Sequence, residues 1–122
     1  MKRVYYNKLI RDNIPEKIVK GGGEFEVREL KDEEYQQEPL KKIAEEAGGL
    51  SRSRTKEDFL DELADLYAVI EALKKLEGIT EEEVVKAIED NRLRKGGFDK
   101  KLFLHWSSDN NYKSNERPQG MK

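Results

Sequence analysis

The chain has 122 residues, of which 41% are charged and 35% hydrophobic, and its formal net charge is −2. This length indicates one small domain, and the low apolar content indicates that a single copy has a thin core. The near-neutral balance argues against nucleic-acid binding by bulk positive charge, and the absence of cysteine excludes disulfides and thiolate metal sites.

A highly charged chain of this size often completes its core with further copies of itself, so we expect a homodimer or a homotetramer. The first residues include lysine and arginine but no long apolar run. This pattern argues against a signal peptide and against a membrane span. We therefore expect a cytoplasmic protein with neither a membrane nor a nucleic acid as its partner.

The N-terminal part of the chain is predicted to form two short strands around a short helix. Residues 4–6 (VYY) and residues 24–30 (EFEVREL) suit strands, and the second stretch alternates apolar with charged side chains. Between them, Asp12 or Asn13 is placed to cap a helix that the glycines at 21–23 end. We expect the two strands to pair as a small β ribbon beside a helical body.

The second helix is predicted to begin, or to restart, near Glu38, because Pro39 suits a first helical turn. The residues after it repeat at helical spacing on one apolar face: Leu40, Ile43, Ala44 and Ala47. Gly48 and Gly49 are predicted to act as C-cap residues and so to end this helix.

Two further helices are predicted, each behind a capping signal. Thr55, followed three residues later by an acid, predicts a third helix from about Lys56 to Glu77, which Gly78 stops. Thr80 starts a fourth helix in the same way, and the glycines at 96–97 terminate it. The whole pattern predicts a mainly all-α bundle of about four helices with one small two-stranded ribbon, completed by oligomerisation.

The apolar periodicity stops near the C-terminus. We therefore expect one helical domain over residues 1–104 and a flexible tail over residues 105–122.

Acidic residues line one flank of the third predicted helix. Asp58, Glu62 and Asp65 follow spacings of four and three, and Asp61 lies on the neighbouring row. Like charges at these spacings destabilise an isolated helix by roughly a few tenths of a kcal/mol. Water and nearby lysines can compensate for this repulsion, or a bound cation can.

These acids have two interpretations. One is a solvated helix face in a chain that is rich in acids throughout. The other is a Mg²⁺ site, because hard divalent cations prefer oxygen ligands. In that case Glu45 and Glu46, on an antiparallel neighbouring helix, would face Glu62 and Asp65.

Four motifs occur in a recognisable order along roughly residues 4–104. They are YNKLIRDNIPEKI (Tyr6–Ile18), EEAGG (Glu45–Gly49), DELADLYAVIEAL (Asp61–Leu73) and KGGF (Lys95–Phe98). In this order they resemble the all-α nucleoside triphosphate pyrophosphohydrolases, the MazG-like superfamily that includes phosphoribosyl-ATP pyrophosphohydrolases.

The resemblance implies an oligomeric helical fold in which two helices present carboxylates to Mg²⁺, with Mn²⁺ as an alternative ion. It implies hydrolysis of a nucleoside triphosphate between the α and β phosphates to a monophosphate and pyrophosphate, with nucleotide-pool cleaning as a possible role. Glu62 and Asp65 match the Glu-x-x-Asp motif of these relatives, and Glu45 and Glu46 match the start of their Glu-Glu-x-x-Glu motif. Its last position is Gly49 here.

The departure at this position leaves the activity open. The preceding position is also often acidic in these relatives, and here it is Gly48. A slow enzyme, an inert relative, or a site repaired by Asp61 or by a partner subunit each fits the sequence. The alternative to the enzyme is a catalytically impaired or inactive nucleotide-binding or helical-assembly protein of the same fold.

The chemistry also needs cations near the phosphates, because charge develops on the phosphate oxygens. Lys8 and Arg11 in the opening motif, with Asp12 beside them, are the candidate substrate contacts, together with Lys95. Surface charges near a helix start, and a simple helix terminator at residues 96–97, are the alternative interpretations. With no serine or cysteine partner for the single histidine, we expect direct attack by water, with Glu45 or Glu46 as the general base.

Overall fold

The computed structural model describes residues 2–108, which contain five helical segments and no strand. The segments are α1 (Ile14–Lys20), α2 (Asp32–Tyr35), α3 (Glu38–Ser51), α4 (Lys56–Glu77) and α5 (Glu81–Lys95). The predicted all-α fold is confirmed. The chain divides into two compact units, Met1–Lys86 and Ala87–Lys122, so that the boundary falls within α5.

The predicted tail lies mainly outside the described residues. Residues 105–108 are described, and they form neither helix nor strand. Within residues 2–108, no helix combines the length and the apolar character that crossing a membrane requires.

The predicted β ribbon is wrong, because residues 4–6 and 24–30 are irregular. Their large apolar side chains are exposed, with Tyr5 at 73% and Val27 at 51% of full accessibility. A two-stranded ribbon is marginal in water unless one face packs against another element. The apolar side chains predicted the strands, but no element of the described chain covers the face that these side chains would form.

The capping signals set the ends of α4 and α5 as predicted. The Thr55 side chain accepts a hydrogen bond from the Asp58 backbone N–H at 3.0 Å, and α4 begins at the next residue. Thr80 and Glu83 form both arms of a capping box, since each side chain accepts a hydrogen bond from the other residue's backbone N–H. Gly78 closes α4 with φ +66°, a left-handed conformation that glycine adopts without steric cost.

The prediction that Gly48 and Gly49 end the second helix is wrong. α3 starts at Glu38 as predicted but continues through both glycines to Ser51, with Arg52 as its C-cap. Neither glycine has the positive φ of a left-handed cap. The Arg52 backbone N–H instead donates to the Gly48 and Gly49 carbonyls, each at 3.2 Å, so the helical hydrogen bonding passes this point unbroken.

The main tertiary contact of the first unit is α3 against α4, with α2 also touching α3. Among residues 2–108, only Pro39 and Glu46 are buried. The apolar side chains between the helices, such as Leu63 and Leu66, are half-buried. One copy of the chain therefore has a helix pair with an incomplete core.

The role of the Thr55 side chain as the N-cap of α4 can be tested directly. Replacing Thr55 with alanine removes the acceptor of the Asp58 N–H, and we expect the free energy of unfolding to fall by about 1 kcal/mol. Urea denaturation followed by circular dichroism measures it. Thr55→Ser keeps the acceptor and should retain most of the stability, so an equal loss in both variants would contradict this role.

Candidate metal centre

Three carboxylates from α3 and α4 meet at one place. Glu46, Glu62 and Asp65 each offer one oxygen, and the three oxygens lie within 4.8 Å of one another. α4 presents Glu62 and Asp65 on one flank because they are three residues apart, and the packing of α3 on α4 brings Glu46 opposite them. These three residues, the carboxylate triad, are three of the four predicted Mg²⁺ ligands. The structure brings them together, and their binding of Mg²⁺ stays a prediction.

Glu46 is the most enclosed member of the triad, with 9% of its surface exposed. Burial raises the pKa of its carboxyl, and the negative charge of Asp65 raises it further, whereas Lys42 opposes the shift. The Lys42 ammonium is 3.7 Å from the Glu46 carboxylate. Glu46 thus carries unfavourable electrostatic energy in its ionised form, and a cation bound between the three carboxylates would relieve it.

Glu45, the neighbouring acid, lies between two lysines. Lys42 donates a hydrogen bond to one carboxylate oxygen at 2.7 Å, and Lys8 pairs with the other at 3.0 Å. The hydrogen bond from Lys42, followed by that from Lys8, lowers the pKa of Glu45 although partial burial opposes the shift. Glu45 is therefore held as an ion pair beside the triad, and its predicted role as a metal ligand stays a prediction.

Arg11 reaches the triad from the N-terminal segment. Its guanidinium donates to the Asp65 carboxylate at 2.9 Å, across 54 residues of sequence. Lys8 and Arg11 together tie the segment before α1 to α3 and α4. Two of the three basic residues predicted to contact phosphate are thus placed beside the predicted metal ligands.

The two glycines of α3 have different surroundings. A side chain at Gly49 would begin 2.5 Å from a carboxylate oxygen of Glu62, a distance that real Cβ atoms essentially never show. At Gly48 the nearest group would be the end of the Arg52 side chain, at 3.1 Å. The space that a third acid of the α3 motif would use is therefore occupied by the Glu62 carboxylate, which comes from α4.

An open cavity of about 280 Å³ is lined in part by Glu62. Its lining joins the end of α3 to the first turns of α4: Gly49, Arg52, Ser53, Asp58, Asp61 and Glu62. Asp61, considered above as a replacement ligand, lines this cavity and is not a member of the triad. The cavity mixes one cation with three acids, so it has no single charge preference.

Asp12 and Lys95 are the other two predicted substrate contacts. Asp12 is exposed and takes no part in the ion pairs around the carboxylates. Lys95 is the last residue of α5 and belongs to the second unit, Ala87–Lys122. Their roles toward a nucleotide stay predictions.

Lys42 was missed in the sequence. It contacts both Glu45 and Glu46 and is itself only 13% exposed at its side chain. The signal was present, because a lysine three and four residues before two acids lies beside both of them on a helix.

No family model, curated protein or solved structure matches the chain.

The opposite pKa shifts of adjacent acids predict opposite effects on stability. The folded pKa of Glu46 is raised, so its ionised form opposes folding, and that penalty disappears as pH falls through this pKa. The folded pKa of Glu45 is lowered, so its ionised form stabilises above the pKa of the unfolded chain and is lost as pH falls through the folded value. At pH 7 without metal, Glu46→Gln should therefore raise the Tm and Glu45→Gln should lower it.

Calorimetry of the two variants with and without Mg²⁺ measures these effects. Saturating Mg²⁺ should raise the Tm of the wild-type chain, since a ligand that binds the folded state stabilises it, and should raise that of Glu46→Gln much less. If Mg²⁺ raised the Tm of the wild type and of Glu46→Gln equally, Glu46 would not be a ligand of the ion.

Proposed function

We propose that the protein is a Mg²⁺-dependent nucleoside triphosphate pyrophosphohydrolase that cleaves between the α and β phosphates, giving a nucleoside monophosphate and pyrophosphate. The proposal joins the ordered motifs, which resemble the MazG-like superfamily, to the geometry of the triad. One observation supports it most: Glu46, Glu62 and Asp65 converge within 4.8 Å from two helices, with Arg11 and Lys8 beside them.

The triad fits a hard divalent cation. All three donors are carboxylate oxygens, and Mg²⁺ is commonly held by a few carboxylates together with water and substrate phosphates. When bound, Mg²⁺ supplies charge neutralisation at the phosphates and activates water at neutral pH. Glu46, Glu62 and Asp65 would hold it, with Mn²⁺ as the alternative ion.

Proton transfer is proposed for Glu45 or Glu46. In the reaction a water oxygen forms a bond to the α-phosphorus, the water loses a proton to the base, and the bond from that phosphorus to the α–β bridging oxygen breaks, so that pyrophosphate leaves. The two candidates differ in their surroundings, since Glu46 belongs to the triad whereas Glu45 is paired with Lys8 and Lys42.

Arg11 and Lys8 are proposed to change partners when substrate binds. Both now neutralise carboxylates of the site. A cation held by the triad would weaken the attraction of Asp65 for Arg11, which is 64% exposed at its side chain and therefore able to turn to a phosphate oxygen. After this change of partners, Arg11 and Lys8 would stabilise the charge that develops on the phosphate oxygens.

Pyrophosphate release from a panel of nucleoside triphosphates with Mg²⁺ tests the activity. Glu62→Gln keeps the side-chain size but removes the charge, and we expect it to abolish turnover. Glu57→Gln, an exposed acid in the first turn of α4, is the matched control and should leave turnover unchanged. If the wild type binds Mg²⁺ and nucleotide yet releases no pyrophosphate, the protein is the inactive nucleotide-binding relative.

We propose further that the protein is a homodimer or a homotetramer. Among residues 2–108 the only apolar side chain buried in a single copy is that of Pro39. α4 exposes several large apolar side chains: Phe59, Leu60, Tyr67 and Ile70. Burial of such surface is the main favourable contribution to the association of subunits.

Light scattering coupled to size exclusion tests the oligomer. The expected mass is two or four times the 14.2 kDa of one chain. The double variant Leu60→Lys/Tyr67→Lys introduces charge where both side chains are more than half exposed, and it should lower the mass or the concentration dependence of the Tm. A wild-type mass of one chain, with cooperative unfolding that does not depend on concentration, would contradict the proposal.

A further inference from the structure

We infer that Gly49 is a positioning residue of the carboxylate triad: because it has no side chain, the Glu62 carboxylate can lie against α3 on the side that carries Glu46. The inference rests on the proposed function, since it concerns how that metal site is assembled. It assigns a role to the position at which the resemblance implies a further acid.

The first step is steric. A Cβ at residue 49 would lie 2.5 Å from one Glu62 oxygen, 2.9 Å from its carboxyl carbon and 3.3 Å from the other oxygen. The whole carboxylate, and not one atom, therefore occupies the space in front of Gly49. Any other residue at 49 forces Glu62 to move.

The second step concerns direction. Gly49 is three residues after Glu46, so both lie on the same face of α3. The Glu62 oxygen that meets Glu46 and Asp65 belongs to the carboxylate that fills this space. The Glu62 carboxylate is the mobile end of a long side chain. A methyl group at residue 49 would therefore displace it from Glu46 at little cost to the fold.

The third step is the position of the glycine within the helix. The Gly49 carbonyl accepts a hydrogen bond from the Arg52 backbone N–H and Gly49 has no positive φ, so its backbone conformation does not require glycine. Glycine in a helix interior is less stable than alanine. The close approach of Glu62 supplies a reason for glycine at 49, whereas Gly48 meets only the flexible end of Arg52.

The matched pair Gly49→Ala and Gly48→Ala tests the inference in the full chain. Both variants gain helix propensity, and both should raise the Tm. Binding of Mn²⁺, followed by the electron paramagnetic resonance signal of the free ion, should weaken by roughly tenfold or more in Gly49→Ala, as for other residues that orient metal ligands. Gly48→Ala should bind Mn²⁺ as the wild type does.

Wild-type affinity for Mn²⁺ in Gly49→Ala would overturn the inference and leave the proposed function standing. A wild-type chain that binds no Mn²⁺ would reject the metal site itself. A second measurement does not depend on metal: without the Glu62 carboxylate, alanine at 49 meets no obstacle. Gly49→Ala should therefore raise the Tm more in a Glu62→Ala background than in the wild type, and equal gains in the two backgrounds would also overturn the inference.

Discussion

The close approach of α3 to α4 is the constraint from which the site follows. It brings an acid of one helix within 4.8 Å of two acids of the other, in a region where Glu46 is almost fully enclosed. Burial, and then the repulsion between like charges at such distances, raises the pKa of Glu46. Gly49 leaves room for the Glu62 carboxylate beside α3.

Basic side chains offset this concentration of acids from two directions. Lys42 comes from the same helix as the acids it contacts, whereas Lys8 and Arg11 come from the segment before α1. The N-terminal segment is thus attached to the helix pair through the acids of the site. Of these ion pairs, Arg11–Asp65 uses a carboxylate of the triad, so a cation bound by the triad would compete with Arg11 for Asp65.

Particular residues show where reasoning from sequence succeeded and where it failed. The ends of α4 and α5 were predicted correctly, because Thr55, Gly78 and Thr80 act through hydrogen bonds and dihedral angles within a few residues. The end of α3 was predicted wrongly, because a pair of glycines looks the same in the sequence whether it ends a helix or leaves space for a side chain of another helix. The β ribbon failed for a related reason, since alternation predicts a strand only where another element covers one face.

The sequence by itself determined the helical character of the chain, the boundaries of its longest helix, and the placement of Glu62 and Asp65 on one flank of that helix. Helical periodicity and capping are properties of neighbouring residues, so they can be read without coordinates. Only the tertiary structure decided that Glu46 lies opposite them, that Arg11 pairs with Asp65 across 54 residues, and that Gly49 faces a carboxylate. These relations depend on how two helices and a loop approach in space, which no local pattern specifies.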